Sequence, residues 1–343
     1  MADFVSGLRL GAKLGNGAFG EVFRGEDPAH GEVAVKVLRR DRFHDDTTWS
    51  AYKTKYLSEA KNLAKASHRN VVQVHHVVEE SSGEGVVICM AFCPGGSLQT
   101  PFEKGPMTLA SVRKVGTEVL MGLSAMHARG MIHRDIKPAN ILLNGKSEAQ
   151  ISDFGHVTDD LVMGYASQAG YADHISYEVW NGKGTSVKSD IWALGMTLYR
   201  LIHGKTWYEE APDPRTLVKY GRFADTLRWL PHVPKPWRRV VRKMLNDDDT
   251  LRYQSAAQTL KALANLPTSP VWETKVNTGL VRWEQLKGPR RVIVEWRRLS
   301  ARKHEWEAWS EPTGKGQRKR LGGSFGLVSR ADAVSALELF FDA

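Results

Sequence analysis

Three glycines and five polar side chains in this sequence have the types and spacing that phosphate chemistry needs. Gly15-Asn16-Gly17-Ala18-Phe19-Gly20 is a G-x-G-x-x-G, and glycine lets backbone approach phosphate oxygens with no side chain in the way. Lys36 ends the run Val33-Ala34-Val35-Lys36. Further on come His133-Arg134-Asp135-Ile136-Lys137-Pro138-Ala139-Asn140 and Asp153-Phe154-Gly155. Moving a phosphoryl group onto a hydroxyl requires a carboxylate to orient the nucleophile and oxygen ligands to hold a divalent cation against the phosphates. Asp135 suits the first task, Asn140 and Asp153 the second. Lys137 stands two residues after Asp135, within reach of the moving group. Each piece alone has a plainer reading: a β-turn hairpin with a surface lysine, a polar turn, a strand-end Asp-Gly turn. Their co-occurrence in one chain leaves those readings little room.

The elements around these residues separate the possibilities further. A dinucleotide site needs a helix directly after the glycines. Here Glu21-Val22-Phe23-Arg24 reads as a strand, followed by a Glu26-Asp27-Pro28 turn and the strand that ends in Lys36. A strand that buries Val33 and Val35 turns Ala34 and Lys36 to the other face, beneath the glycine tip. Residues 8–92 hold β-type runs at Leu8–Leu14, Glu21–Arg24, Glu32–Leu38, Val71–Val78 and Val86–Phe92. One helical stretch, Trp49–Ala66, interrupts them, with Leu57, Ala60 and Leu63 at helical spacing. From about 95 to 265 the pattern turns helical, as at Leu109–His127, Ser186–His203 and Trp237–Leu245.

Taken together, residues from about 8 to 265 resemble a eukaryotic-type (Hanks-type) serine/threonine protein kinase domain. The resemblance implies an α+β, two-lobe fold: a small antiparallel β lobe with one helix and a large, mainly helical lobe. It implies ATP and Mg2+ or Mn2+ as cofactors and protein substrates as partners. Gly15, Gly17 and Gly20 match the phosphate loop, and Glu59 matches the acid that pairs with Lys36. Met90-Ala91-Phe92-Cys93-Pro94 resembles the hinge, with Met90 guarding the back pocket and the backbones of Ala91 and Cys93 meeting adenine between Leu14, Val22, Ala34 and Leu142. Asp135, Lys36, Lys137 and Glu59 are the implied catalytic set; Asn140 and Asp153 are the implied metal ligands. Glu178 and Arg252 match the buried ion pair of the large lobe, and Asp190 the acid that braces the His133-Arg134-Asp135 backbone. The alternative of an inactive, scaffolding relative is disfavoured because Lys36, Asp135, Asn140 and Asp153 are all present. A small-molecule kinase is disfavoured by the Glu178 and Arg252 framework.

The substrate-facing segment departs from the family's pattern. Gly170-Tyr171-Ala172-Asp173-His174-Ile175-Ser176-Tyr177-Glu178 puts Tyr171 where a threonine is usual and Tyr177 where a proline is usual. Arg134 is the arginine that commonly binds a loop phosphate in this family. Thr158, Tyr165, Ser167 and Tyr171 are the candidate acceptors for autophosphorylation.

The chain has 343 residues and a formal net charge of +10, which excludes an acidic solvating chain and suits anionic partners. Its two cysteines, Cys89 and Cys93, exclude a disulfide framework, and a metal site using both would need further ligands that are not near them in sequence. A reducing, cytoplasmic setting is expected. No long apolar run predicts a membrane span, and the first ten residues do not read as a secretory signal. The kinase resemblance stops at Leu266-Pro267-Thr268-Ser269-Pro270, read as a linker. Residues 271–343 carry five of the eleven tryptophans, fourteen basic and nine acidic residues. They are read as a β-β-β-α unit with strands near Arg291–Arg297, His304–Trp309 and Gln317–Phe325 and a helix over Ala331–Phe341. This layout is weakly similar to the DNA-binding domain of plant ethylene-response factors. That likeness would put Trp296, Arg297, Arg298, Trp306, Arg318, Lys319 and Arg320 on a nucleic-acid face. The competing reading is a basic sheet that packs on the kinase domain or binds a regulatory protein.

Overall fold

The computed structural model describes residues 7–16, 20–42, 45–64, 67–80, 83–153, 172–211 and 214–343. The alternating runs of the first ninety residues form one antiparallel sheet of β1 (Arg9–Asn16), β2 (Glu21–Asp27), β3 (Gly31–Arg39), β4 (Val74–Glu79) and β5 (Gly85–Ala91), in the order β1-β2-β3-β5-β4. Among the described residues of this lobe one α-helix, α1 (Asp46–Ala64), packs on one face. On that face lie Leu38, Val86 and Ile88; Val33, Val35, Val37, Val87 and Cys89 form a separate apolar layer on the other. The period of two along β3 therefore sends Ala34 and Lys36 to the inner side. Val71 was expected within a strand but lies before β4. Its neighbours bond the large lobe instead, Val72 N donating to Ile151 O at 2.9 Å and Ile151 N to Asn70 O at 2.9 Å.

The large lobe contains α2 (Gln99–Lys104), α3 (Leu109–His127), a two-stranded hairpin of β6 (Ile141–Leu143) and β7 (Ala149–Ile151), and α4 (Tyr177–Trp180). It continues through α5 (Val187–Glu209), α6 (Pro214–Tyr220), α7 (Phe223–Thr226), α8 (Lys235–Met244) and α9 (Ala256–Ala264). α5 starts at a capping box, with Ser186 Oγ accepting from Lys188 N and Ser186 N donating to Ser189 Oγ. It is the lobe's central helix and is buried along nearly its whole length.

The tail differs from the three strands expected. It forms a five-stranded antiparallel meander: β8 (Glu273–Asn277), β9 (Leu280–Lys287), β10 (Arg290–Arg298), β11 (His304–Pro312) and β12 (Lys319–Gly323), followed by α10 (Arg330–Asp342). The two strands the sequence pattern missed are joined by a tight turn at Thr278-Gly279, where Gly279 takes a positive φ of 79°. One face of the sheet shares a core with the large lobe. Trp296 packs 6.1 Å from Trp207, and Trp283 Nε1 donates to His232 Nδ1 at 2.9 Å. Arg298 and Arg238 reach across to Glu210 and Glu338. The preceding segment is also tied down, by Trp237 Nε1 to Pro267 O at 2.6 Å and Arg113 Nη1 to Leu266 O at 2.8 Å. Among the described residues no helix is long and apolar enough to cross a membrane.

Two buried histidines hold this junction in the neutral form. His203 lies between the Tyr199 carbonyl, 2.7 Å from Nδ1, and the Leu230 amide, which donates to Nε2 at 3.3 Å. His232 accepts from Trp283. Burial pushes both down to about 3. Above pH 6.5 the folded and unfolded chains both carry neutral imidazoles. Below it the unfolded chain takes up protons that the folded one refuses, so stability falls as pH drops from 6.5 toward 3, by about 1.4 kcal/mol per pH unit for each histidine. Urea unfolding at pH 7.5 and pH 5 should show this loss, and His232→Gln should make the dependence shallower. Trp283→Ala should cost about 3–5 kcal/mol in the same assay, as a large buried ring is removed.

Candidate active site

The cleft between the lobes collects residues from five separate segments. From β3, Lys36 is 4% exposed, and its Nζ lies 2.5 Å from Asp153 Oδ1. A buried ammonium needs such a partner to stay charged. Val22 opposes Lys36 across β2 and β3, and Ala34 opposes Met90 across β3 and β5, so these side chains share the inner face. Gly20 passes so close to β3 that a Cβ there would meet the Val37 carbonyl at 2.4 Å. This explains glycine at the loop's far end. Gly15 is on β1; Gly17 lies outside the described residues. Leu14 is half exposed at the rim.

At the hinge, Ala91 N donates to Gln73 O at 2.9 Å, and Gly96 N to Cys93 O at 3.1 Å. The Cys93 thiol is buried, pushed up to about 11 by that burial, and points to Gln150 Oε1 at 3.3 Å. It is a packed, protonated group. Leu142 follows on β6, where the Ser97 bridge brings the hinge's exit against it.

The loop before β6 is held by a set of converging contacts. Asp190, at the start of α5, accepts from His133 N at 2.9 Å and from Arg134 N at 2.8 Å, with His127 Nε2 2.9 Å from the same carboxylate. These bonds fix Arg134 in the left-handed region at φ 71°, a conformation costly for a non-glycine residue. The next residue, Asp135, is thereby set with its Oδ2 2.7 Å from Lys137 Nζ and 2.6 Å from Asn140 Nδ2. Asn140 Nδ2 also bonds the Asp135 carbonyl at 2.9 Å. His133 ties this loop to the next segment, its Nε2 3.0 Å from the Ser152 carbonyl. Ser152 N donates to Asn140 O at 2.9 Å. Asp153 then takes a positive φ of 59° that aims its carboxylate at Lys36. The structure thus brings Lys36, Asp135, Lys137, Asn140 and Asp153 into one cleft.

The Glu59 side chain lies outside the described residues, although its backbone is in α1. Phe154, Gly155, Thr158, Tyr165, Ser167 and Tyr171 also lie outside them.

The atypical segment after residue 171 has its own buried network, which the sequence pattern did not reveal. Asp173 accepts from Tyr208 Oη and faces Arg200 Nη1 at 3.4 Å. The same Arg200 nitrogen lies 2.8 Å from His174 Nε2, and the guanidinium stacks 4.3 Å from the Phe102 ring centre. Burial, followed by Arg200, brings His174 down to about 4 against the pull of Asp173, so its ring is neutral and accepts from the arginine. Below it, Arg252 makes a bidentate pair with Glu178, at 2.7 and 2.6 Å, with both side chains almost fully buried. Removing one partner strands the other charge: Arg252→Ala should lower unfolding stability by about 3–5 kcal/mol, and the double change Glu178→Gln with Arg252→Met should recover part of it.

The tail offers a different kind of surface. Trp296 is fully buried against the large lobe, and Arg298 is spent on Glu210 and stacked over Trp207 at 5.5 Å. On the outer face Arg297 pairs with Glu295 and Glu305. Arg318 pairs with Glu307 and covers Trp309 at 3.9 Å. Trp306 is partly buried beside Phe340, while Lys319 and Arg320 are exposed. Of the seven residues expected to form one nucleic-acid face, the structure therefore turns Trp296, its cross-strand partner Trp306 and Arg298 inward, because the pleat alternates Trp296 and Arg298 with Arg297.

Residues 8–263 match the family model described as protein kinase domain. Among curated proteins, the chain is 27% identical over 271 residues to a protein of Lactococcus lactis described as a probable serine/threonine-protein kinase, covering 76% of this chain and 42% of that one. It is 30% identical over 271 residues to a serine/threonine-protein kinase of Mycobacterium tuberculosis, covering 73% and 41%. It is 32% identical over 267 residues to a mitogen-activated protein kinase kinase kinase of Arabidopsis thaliana, covering 76% and 37%. The chain spans about two fifths of the length of these relatives.

Proposed function

The chain belongs to the protein kinase domain family, and on that basis we propose that it transfers the γ-phosphoryl group of ATP to a serine or threonine hydroxyl of protein substrates. The observation that carries this reading is the convergence of Asp135, Lys137, Asn140, Asp153 and Lys36 in one cleft. In this reading Asp135 orients the acceptor hydroxyl and takes its proton. Lys137, already 2.7 Å from that carboxylate, neutralises charge on the moving group. Lys36 and the loop from Gly15 through Gly17 to Gly20 position the phosphates. Glu59 is the proposed second partner of Lys36. Adenine would lie between Leu14, Val22, Ala34 and Leu142, beside Met90, and meet the Ala91 carbonyl and the Cys93 amide.

The donor set fits a hard divalent cation such as Mg2+ or Mn2+. Asp153 offers a carboxylate, and Asn140, whose Nδ2 is committed to Asp135, offers its amide oxygen. Such an ion, when bound, supplies charge neutralisation at the phosphates. The serine/threonine assignment over tyrosine follows from Lys137 and from the relatives' names. For residues 271–343, the inward tryptophans and glutamate-paired arginines favour a buttress on the large lobe over a nucleic-acid face.

Incubation of the purified chain with labelled ATP and Mg2+ tests the proposal. Label should enter serine or threonine of protein acceptors and of residues 156–177, with Thr158 and Ser167 the expected sites. Asp135→Asn and Lys36→Met should each lower transfer by at least about 10²-fold while keeping the far-ultraviolet circular dichroism of the wild type. Failure of the wild type to bind ATP, or transfer undiminished in Asp135→Asn, would refute the assignment.

A further inference from the structure

The outer face of the small-lobe sheet, turned away from the cleft, is apolar except at one end. Phe23 of β2, Val33, Val35 and Val37 of β3, Val78 of β4 and Val87 and Cys89 of β5 make up the layer. At the end where β2 turns into β3, this layer contains Asp27, 4% exposed, together with His76 of β4 and the fully buried Cys89. Their ligating atoms lie within 4.8 Å of one another. An ionised carboxylate in an apolar wall needs a compensating partner. The backbone amides of Ala29 and His30 satisfy only Asp27 Oδ1, at 2.9 and 3.0 Å. Asp27 Oδ2 faces His76 Nε2 at 3.6 Å, too far for a hydrogen bond. That nitrogen is shielded from solvent and has no hydrogen-bond partner.

The placement comes from strand register. Cys89 is paired with Val35 on one side and His76 on the other. An irregularity between Val74 and His76 turns His76 to the outer face. His75 stacks instead on His30, with ring centres 4.0 Å apart, and takes no part in the cluster. An oxygen, a nitrogen and a sulfur donor from three strands thus converge at one place.

We propose that Asp27, His76 and Cys89 form a binding site for a zinc-type divalent ion, distinct from the catalytic cleft, with water in the fourth position. The proposal stands independently of the kinase reading. Ion–ligand bonds of about 2.0–2.3 Å set tetrahedral edges of about 3.3–3.7 Å. The Asp27–His76 separation already matches such an edge, and a modest side-chain rotation brings Cys89 in. A thiolate and an imidazole select zinc over magnesium or calcium. Coordination exchanges the thiol proton for a sulfur–metal bond, the proton passing to solvent. Cys89 directly precedes Met90, and Val35, its cross-strand neighbour, directly precedes Lys36. An ion here would tie together β2, β4 and β5, whose inner faces line the cleft, and would stabilise the folded small lobe by binding it alone.

The test uses the full, tag-free chain, stripped of metal and titrated with Co2+ in excess Mg2+. One equivalent should give a thiolate-to-cobalt charge-transfer band in the near ultraviolet with tetrahedral ligand-field bands, and Zn2+ should displace it. Cys93→Ser should keep the band and Cys89→Ser should lose it. His76→Gln should weaken cobalt binding by at least about 10–100-fold. Zn2+ should raise the melting temperature of the wild type and not of His76→Gln. If Cys89→Ser fails to fold, the part-exposed His76 variant decides. The site is overturned if the wild type shows no charge-transfer band, if the band survives Cys89→Ser, or if His76→Gln binds with unchanged affinity.

Discussion

Asp190 is a carboxylate buried at the start of the central helix, and both of its oxygens point at main-chain amides of the loop before β6. Those two bonds, with His127 on the same group, set the backbone of His133 and Arg134 and hold Arg134 in a left-handed conformation it would not otherwise keep. Asp135 inherits its position from this anchor, and through Asp135 so do Lys137 and Asn140. His133 then passes the constraint to Ser152, and Asp153 follows. The charges of the cleft are thus aligned by a main-chain device that contacts none of their side chains.

Around that anchor the molecule buries several charges, each with a partner in place. Lys36 meets Asp153, Glu178 meets Arg252, and Arg200 gathers Asp173, His174, Phe102 and Tyr208. The last group holds the segment around Asp173 and His174 against α5. The tail sheet works along the same helix, since Trp207 near its C-terminal end packs against Trp296. The large lobe therefore has one continuous core that reaches from the cleft into residues 271–343.

Much of the small lobe is legible in the sequence. Alternation along β2 and β3 marked the hairpin, and Val33 and Val35 on one face implied Lys36 on the other. The tail was less legible. Glu273–Asn277 is short, and both it and Leu280–Lys287 carry charges among their apolar residues, so the sequence pattern alone does not mark them as strands. Their identity as strands comes from pairing, Leu280–Lys287 with β10 and Glu273–Asn277 in turn with Leu280–Lys287. The seven residues expected on one nucleic-acid face are divided by the structure, with Trp296, Trp306 and Arg298 on the inner side. Composition counts basic and aromatic residues but does not say which side of a pleat meets the protein's own core.

Residue order alone determined the motifs, the chemistry that Lys36, Asp135, Lys137, Asn140 and Asp153 suit, and the local periodicities that place them on strands and loops. These are properties of neighbours along the chain, where covalent geometry and side-chain spacing are sufficient. The tertiary structure decided what depends on contact between distant segments: that Asp190 braces the loop, that the tail's tryptophans face the large lobe, and that Asp27, His76 and Cys89 meet at one end of a sheet. Strand register and a single bulge made that last meeting, and neither is written in the spacing of the residues they bring together.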